Sequence, residues 1–346
     1  HQGTNALLAA LPPVEGEWRE ILSGPPVFTQ VALSSSGEQV AYVASRPDHP
    51  PEVYAGRFGT TPRRMTEHNS ELENVAFGRQ EVVRWRTEDG LEVEGVLIHP
   101  VGAGESGGPR PPYPLVSVVH GGPESCWLDG WNTSYGRWGQ VLAGRGFMVL
   151  MANYRGSTGR GAAYAMADHR DLAGREFRDV LDGIDSLVAR GLVDPERVGS
   201  GGGSYGGYFS AWAATRHADR FAASVVFAGI SNWISFTGTS DIPEENSIVH
   251  WDLDPYARAD LAWDRSPVAH LDVGRTPVLI AHGEKDLRVP LAQGTELYTA
   301  LRLRGRPVEY VTYPREPHGL RERAHRLDYM KRSVDWFERW LKPRRD

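Results

Sequence analysis

The sequence predicts a doubly wound α/β fold, a mostly parallel sheet layered by helices, preceded by a small all-β segment. Three observations predict it. Stretches 115–120, 147–151, 222–227 and 277–282 are largely apolar along their whole length, and strands of that kind are buried on both faces, as parallel strands are. Breaker-free stretches of helical length separate them, giving a β-α alternation. The third is local: Gly202-Gly203-Ser204-Tyr205-Gly206 stands between a short strand and an Ala- and Trp-rich helix.

In chain order, residues 1–78 are β-rich. Short strands at 27–33, 39–44 and 52–57 are separated by the polar stretch 34–38 and a Pro-rich turn at 47–51, and 64–66 closes the unit. Four short strands in about 45 residues is the size of one propeller blade. A lone blade buries little and leaves two bare edges, so it calls for neighbours: a partner polypeptide or upstream sequence. A homo-oligomer would also cover the edges. A small β-subdomain packed on the remainder is the alternative. His1 in place of Met reads as a processed chain or a fragment.

Residues 79–346 form the second unit. Strands at 81–86 and 91–99 flank the hairpin signal Glu88-Asp89-Gly90, and the Gly/Pro-rich 102–114 reads as a surface loop. The strand at 115–120 is followed by a helix over 131–145, and the strand at 147–151 by a helix over 171–190. The elbow strand at 196–200 and its helix at 208–216 come next, then the strand at 222–227. The strand at 277–282 precedes a helix at 291–304, and the strand at 308–313 precedes a last helix at 321–341. This is the order of an α/β-hydrolase, with the serine turn after the middle strands.

The chain has 346 residues, net charge −6 and a pI near 6.1, so no basic face suits nucleic acid or an anionic membrane. No apolar run reaches the roughly 18 residues of a membrane span. One cysteine, Cys126, excludes an internal disulfide and fits a reducing, cytoplasmic setting. It reads as a packed thiol, with no histidine placed to activate it. No Cys/His cluster has zinc spacing, and neither metal nor organic cofactor is implied.

Glycines at 202 and 206 permit a turn too tight for β-carbons, which lifts the Ser204 hydroxyl above the sheet at a helix N-terminus. A serine becomes a nucleophile when a base takes its proton and a carboxylate fixes the base's tautomer. In this strand order the partners follow as Ser, Asp, His on loops after late strands. Asp286 is the favoured acid, with Glu284 as competitor. His318 is the base; His282 and His325 read as structural. The oxyanion needs two N–H donors, supplied by Tyr205 and by the His120-Gly121-Gly122-Pro123 turn, with Gly122 preferred to Gly121. Trp233 and its neighbours in 231–236, with Ile242, Val249 and Trp251, would wall a pocket for the side chain before the scissile bond. Arg155 and Arg160, and after them Arg288, are candidates to bind a peptide carboxylate or carbonyl; a structural ion pair is the competing role for each. Glu244-Glu245 reads as a solvated loop.

From His120 to about His318 the chain resembles the catalytic domain of the prolyl oligopeptidase family of serine peptidases, especially its acylaminoacyl-peptidase branch. The motifs that carry this are His120-Gly121-Gly122-Pro123, the segment from Asn153 to Gly159, Gly202 to Tyr208, Asp286 to Pro290, and Pro317-His318-Gly319. The resemblance implies that Ser204, Asp286 and His318 are the triad, and that an upstream β-propeller restricts the enzyme to short peptides. Some relatives place an oxyanion-stabilising tyrosine hydroxyl where this chain has His120, so backbone donors should dominate here. The expected function is that of a serine exo- or oligopeptidase of the acylaminoacyl-peptidase/oligopeptidase type, hydrolysing short peptides, N-acylated or free, through an acyl-enzyme. A carboxyl-end exopeptidase, a carboxylesterase and a non-catalytic scaffold are the alternatives.

Overall fold

The computed structural model describes residues 1–10, 16–23, 26–272 and 274–342. Two antiparallel sheets open the chain. β1 (Leu7–Ala10) pairs with β2 (Arg19–Ser23), and β3 (Val27–Leu33), β4 (Gln39–Arg46), β5 (His49–Arg57) and β6 (Arg63–Arg64) follow one another in a four-stranded sheet. Alternate residues Val40, Tyr42 and Ala44 of β4 join Val27 and Phe28 in a small core, onto which Leu128 of the larger unit packs. The Pro-rich turn is shorter than predicted, since β5 already starts at His49. Thr66 lies outside β6; its hydroxyl donates to the buried Glu52 carboxylate, which also accepts from His68 N and Asn69.

The main sheet has eight strands in the order β16-β15-β14-β13-β9-β12-β8-β7. Its members are β7 (Gln80–Arg86), β8 (Glu92–Ile98), β9 (Tyr113–Val119), β12 (Met148–Asn153), β13 (Val193–Gly203), β14 (Ala223–Phe227), β15 (Val278–Gly283) and β16 (Val308–Tyr313). Pairing is parallel from β16 through β12, and β8 runs antiparallel to both β12 and β7. Strand alternation divides the core: Leu115 and Val119 of β9 face one layer with Phe177, Tyr205 and Phe209, while Val116 and Val118 face the other with Trp138 and Phe337. Both faces of β9 are buried along its whole length, which is why it is apolar at nearly every position.

The predicted helix over 131–145 is not formed. Thr133–Ser134 (β10) and Arg137–Trp138 (β11) make a tight hairpin, and only Gly139–Ala143 (α1) is helical. Gly139 packs so close to Asn132 that a Cβ would lie 2.6 Å from its carbonyl oxygen, and the Thr133 hydroxyl accepts the Gln140 N–H. The hairpin and α1 together carry Trp138 into the core, fully buried.

The short α2 (Ala162–Ala165) leads to α3 (Arg175–Ala189), which starts four residues later than predicted because Glu176 accepts from the N–H groups of Ala173 and Gly174 in a turn. The elbow helix α4 (Tyr205–Thr215) begins directly after the serine. Then come α5 (Trp233–Thr239), α6 (Pro243–Glu245), the π-helical turn Asn246–Trp251, α7 (Ala259–Asp264), α8 (Leu291–Leu303) and α9 (Arg323–Leu341).

Candidate active site

β13 delivers Ser204 to the carboxyl end of the sheet. The polar end of that strand, Gly199-Ser200-Gly201, has a packing reason: a Cβ on Gly201 would lie 2.7 Å from the Trp138 ring, and Ser200 bonds Ser210 at 3.2 Å. Ser204 sits at φ 60°, ψ −123°, a conformation that favours glycine. Neighbours enforce it. A Cβ on Gly202 would meet Val119 O at 2.5 Å, and one on Gly206 would meet the same oxygen at 2.2 Å. The Ser204 N–H donates to Phe227 O at 3.0 Å and its carbonyl accepts from Tyr208 N at 2.9 Å. The strand–serine–helix turn predicted from the glycines is therefore present.

Asp286 follows β15 and is buried. Its Oδ1 accepts the Val289 N–H at 2.9 Å and its Oδ2 accepts His318 Nδ1–H at 2.8 Å, the tautomer following from this network. Burial works to raise the Asp286 pKa, but hydrogen bonds from His282, His318 and Val289 outweigh it and hold the carboxyl at about 2. Glu284 is exposed and bonded to Thr312, so Asp286 is the carboxylate that meets the imidazole. His282 is buried and donates to Val289 O at 2.7 Å, and His325 is bonded to Glu316 at 2.8 Å; both are structural, as expected. Tyr135 braces the His318 loop by accepting the Leu320 N–H at 3.2 Å.

His318 and Ser204 both line two adjoining hollows. The larger, about 680 Å³, is walled by the β10–β11 hairpin, by Trp131 and by Pro51 from the N-terminal sheet. The smaller, about 320 Å³, has Trp233, Phe236 and Ile242 in its wall, together with Gly122, Glu124, Tyr205 and Arg288. Ser204 Oγ makes no hydrogen bond among the described residues, so of the serine–imidazole–carboxylate chain the second link is the one formed. Apo sites commonly tighten the first link only with substrate bound. Neither the Gly122 nor the Tyr205 N–H has a partner among the described residues, and both residues border the smaller hollow with Ser204. The Tyr205 hydroxyl donates to buried Glu176 at 2.9 Å, which fixes the first turn of α4. A Cβ on Gly121 would stand 3.7 Å from Ser204 Oγ, so the His120 turn lies directly against the serine.

His120 itself is buried. Nδ1 donates to Gly121 O and Nε2 accepts from Ser157, each at 2.9 Å, and its ring stacks on Tyr154 at 4.4 Å. Burial lowers its pKa to about 4, which keeps the ring neutral.

Two predicted substrate ligands are corrected. Arg155 is buried and forks between Asp179, at 2.7–3.1 Å, and Asp89, at 2.8–2.9 Å; two carboxylates take up its donors and it lines neither hollow. Arg160 bonds the Glu92 carbonyl and lies 4.6 Å over the Tyr164 ring, also away from both hollows. Arg288, by contrast, borders the smaller hollow, its Nε 2.7 Å from Asp241. Trp233, almost wholly buried, lines the smaller hollow. Trp251 lies behind it in the core, edge to face with its ring centroid 5.5 Å away, and Val249 is exposed, so neither walls the pocket. Glu244 and Glu245 are exposed, as expected of a solvated pair, though they lie in the short α6 and Glu245 also borders the smaller hollow. Cys126 does have a histidine nearby: Sγ lies 3.5 Å from His1 Nδ1. Burial would raise its thiol pKa, but the His1 contact outweighs that and lowers it.

Comparison with known proteins gives the chain's relatives and its fold. The profile described as "Prolyl oligopeptidase family" matches residues 133–344. The uncharacterized peptidase YuxL of Bacillus subtilis is 34% identical over 323 residues, 90% of this chain and 47% of that protein. The human acylamino-acid-releasing enzyme is 28% identical, over 92% of this chain and 41% of its own length. Among solved structures, an acylaminoacyl peptidase in complex with Z-Gly-Gly-Phe-chloromethyl ketone superposes with a TM-score of 0.84 at 27% identity, over 96% of this chain and 52% of that one. The chain thus spans about half the length of the relatives it matches. No described helix is long and apolar enough to cross a membrane.

Proposed function

The chain belongs to the prolyl oligopeptidase family, and from that premise we propose that it is the catalytic part of a serine peptidase that cleaves short, N-acylated peptides through an acyl-enzyme. One observation carries the reading: Ser204, strained at its elbow, shares two hollows with a His318 whose other nitrogen is held by buried Asp286. Ser204 Oγ attacks the scissile carbonyl carbon while His318 Nε2 takes its proton. The N–H groups of Gly122 and Tyr205 hold the oxyanion. His318 then gives the proton to the departing amine, and water, deprotonated in the same way, releases the acyl group. Asp286 stays charged throughout, as its depressed pKa requires. The smaller hollow, walled by Trp233, takes an apolar side chain before the scissile bond.

The acyl-peptide preference is supported by relatives named acylamino-acid-releasing enzyme and acylaminoacyl peptidase. A carboxyl-end exopeptidase is the second reading, favoured by the cation of Arg288 in the wall of the smaller hollow. The four-stranded sheet of β3 to β6 supports a terminal propeller blade completed by an upstream polypeptide or by self-association, and the single cysteine supports a cytoplasmic setting. The test is active-site labelling by a fluorophosphonate, with kcat/KM on an acyl-amino-acid anilide, a free dipeptide with an open carboxylate, and p-nitrophenyl butyrate. Ser204→Ala should abolish labelling and lower kcat by about a million-fold. Labelling that survives in Ser204→Ala removes the serine mechanism, and an ester preferred to every peptide makes the chain a carboxylesterase.

A further inference from the structure

Beside the smaller hollow, donor atoms from three separate segments meet without partners. Glu124 follows the Gly122 turn, Asp168 and His169 follow α2, and His250 lies in the π-helical turn. One ligand atom each from Glu124, Asp168 and His169 lie within 4.8 Å of one another. Glu124 Oε1 stands 3.5 Å from His169 Nε2 and 3.6 Å from His250 Nδ1. None of these three atoms, nor either oxygen of Asp168, has a hydrogen-bond partner, and Asp168 has no exposed surface at all. A buried carboxylate with both oxygens unsatisfied is costly, and such groups are ordinarily paired or coordinate a metal.

We propose that Glu124, Asp168 and His169 form a divalent transition-metal site of the Zn²⁺ class, with His250 moving in as the fourth ligand. Ligand bonds of about 2.0–2.2 Å in a tetrahedron put neighbouring donors about 3.3–3.6 Å apart, which is the spacing at Glu124 Oε1. Two imidazoles and two carboxylates suit Zn²⁺, Co²⁺ or Mn²⁺ and neutralise a double charge. A second group, Glu316, Glu322 and His325, also has its donors within 4.8 Å. It differs in being satisfied: Glu316 accepts from the N–H groups of Arg321 and Glu322 and bonds His325, while Arg315 takes Glu322. Clustering alone does not distinguish the two; the unpartnered atoms do. The site is independent of the peptidase reading, although Glu124 and His250 also border the hollow that Ser204 lines. An ion there would tie the Gly122 turn to the π-helical turn that also borders the hollow, and to the segment after α2.

The experiment uses the full chain stripped by chelator and dialysed, titrated with ZnCl₂ in a calorimeter, with melting curves at saturating Zn²⁺. The wild type should bind one Zn²⁺ at this site and melt higher when it is present. Asp168→Asn and His169→Gln should each weaken binding by about tenfold or more and lose the shift in Tm. Should Asp168→Asn fail to fold, His169→Gln, at a partly exposed position, decides the matter alone. The proposal is overturned if the folded wild type takes up no Zn²⁺, or if both wild type and variant bind it equally, which would place the ion elsewhere, such as at His1 and Cys126.

Discussion

Gly206→Ala tests whether close backbone packing behind the elbow is what aims the serine. A Cβ at Gly206 would lie 2.2 Å from Val119 O and 3.1 Å from His120 O. Carbon–oxygen contacts begin at about 3.3 Å, so the helix and the end of β9 must part by about 1 Å. The displaced oxygens belong to the segment that turns into Gly121 and Gly122, so the shift changes the distance between the oxyanion donors and Ser204. Misplacement by about 1 Å typically costs on the order of 100-fold in rate, or about 2.7 kcal/mol of barrier. Overpacking should also cost about 1–3 kcal/mol of stability. The assay is kcat and KM on the acyl-amino-acid anilide, the rate of fluorophosphonate labelling and the melting temperature. The loss should fall mainly on kcat and the labelling rate. Gly144→Ala is the control: it follows α1 at φ −64°, and its nearest neighbour would be 3.4 Å from the new carbon. A Gly206→Ala enzyme with kcat within threefold of wild type and an unchanged Tm would refute the reasoning.

Three further outcomes follow from the same structure. Asp286→Asn keeps a group to accept the Val289 N–H but offers His318 the wrong tautomer partner, so kcat should fall by about 10⁴-fold; a loss under tenfold would remove Asp286 from its role. Arg155→Met leaves Asp179 charged and unpaired in the interior, which should cost about 3–5 kcal/mol in a denaturant titration with KM unchanged; a tenfold rise in KM at unchanged stability would return Arg155 to the substrate. His120 titrates at about 4 when folded, against 6.5 when unfolded, so the unfolded chain binds a proton that the folded chain refuses. Stability therefore falls as pH drops from 6.5 to 4, by roughly 3 kcal/mol from this group. His120→Gln, compared with wild type by chemical denaturation at pH 7 and pH 4, should lose that component; parallel pH profiles would exclude it.

Local signals in the sequence were reliable where a residue's role depends on its immediate neighbours. Strands β9, β12 and β15 are legible because both faces are buried, and the elbow because Gly202 and Gly206 can be nothing larger so close to Val119 O. The helix expected over 131–145 gives way for a non-local reason, the approach of Gly139 to Asn132 and the insertion of Trp138 between β13 and α9. For Arg155 an ion pair was legible as the competing role but its partners were not, since Asp89 and Asp179 lie 66 and 24 residues away. The grouping of Glu124, Asp168, His169 and His250 has no spacing signature at all, because three segments supply it.

The walls of the two hollows, to which the proposed function assigns the choice of substrate, were the least legible part. Pro51 reaches the larger hollow from the N-terminal sheet, and Ser45 of that sheet accepts the Trp131 N–H at 3.2 Å. Trp131 and the hairpin after it form the same wall, and Tyr135 of that hairpin holds the loop that carries His318. The β-unit is therefore linked to the loop that carries His318 through two hydrogen bonds, Trp131 to Ser45 and Leu320 to Tyr135, joined by the chain from Trp131 into the β10–β11 hairpin. A change in how that unit is held, by upstream sequence or by a partner, acts on the shape of the larger hollow and on the position of His318 together. On the proposed mechanism, selection of substrate and readiness of the base would both follow from one packing arrangement, so Ser45→Ala should move both KM and kcat on the acyl-amino-acid anilide although Ser45 lines neither hollow; an enzyme with both constants unchanged would refute the link.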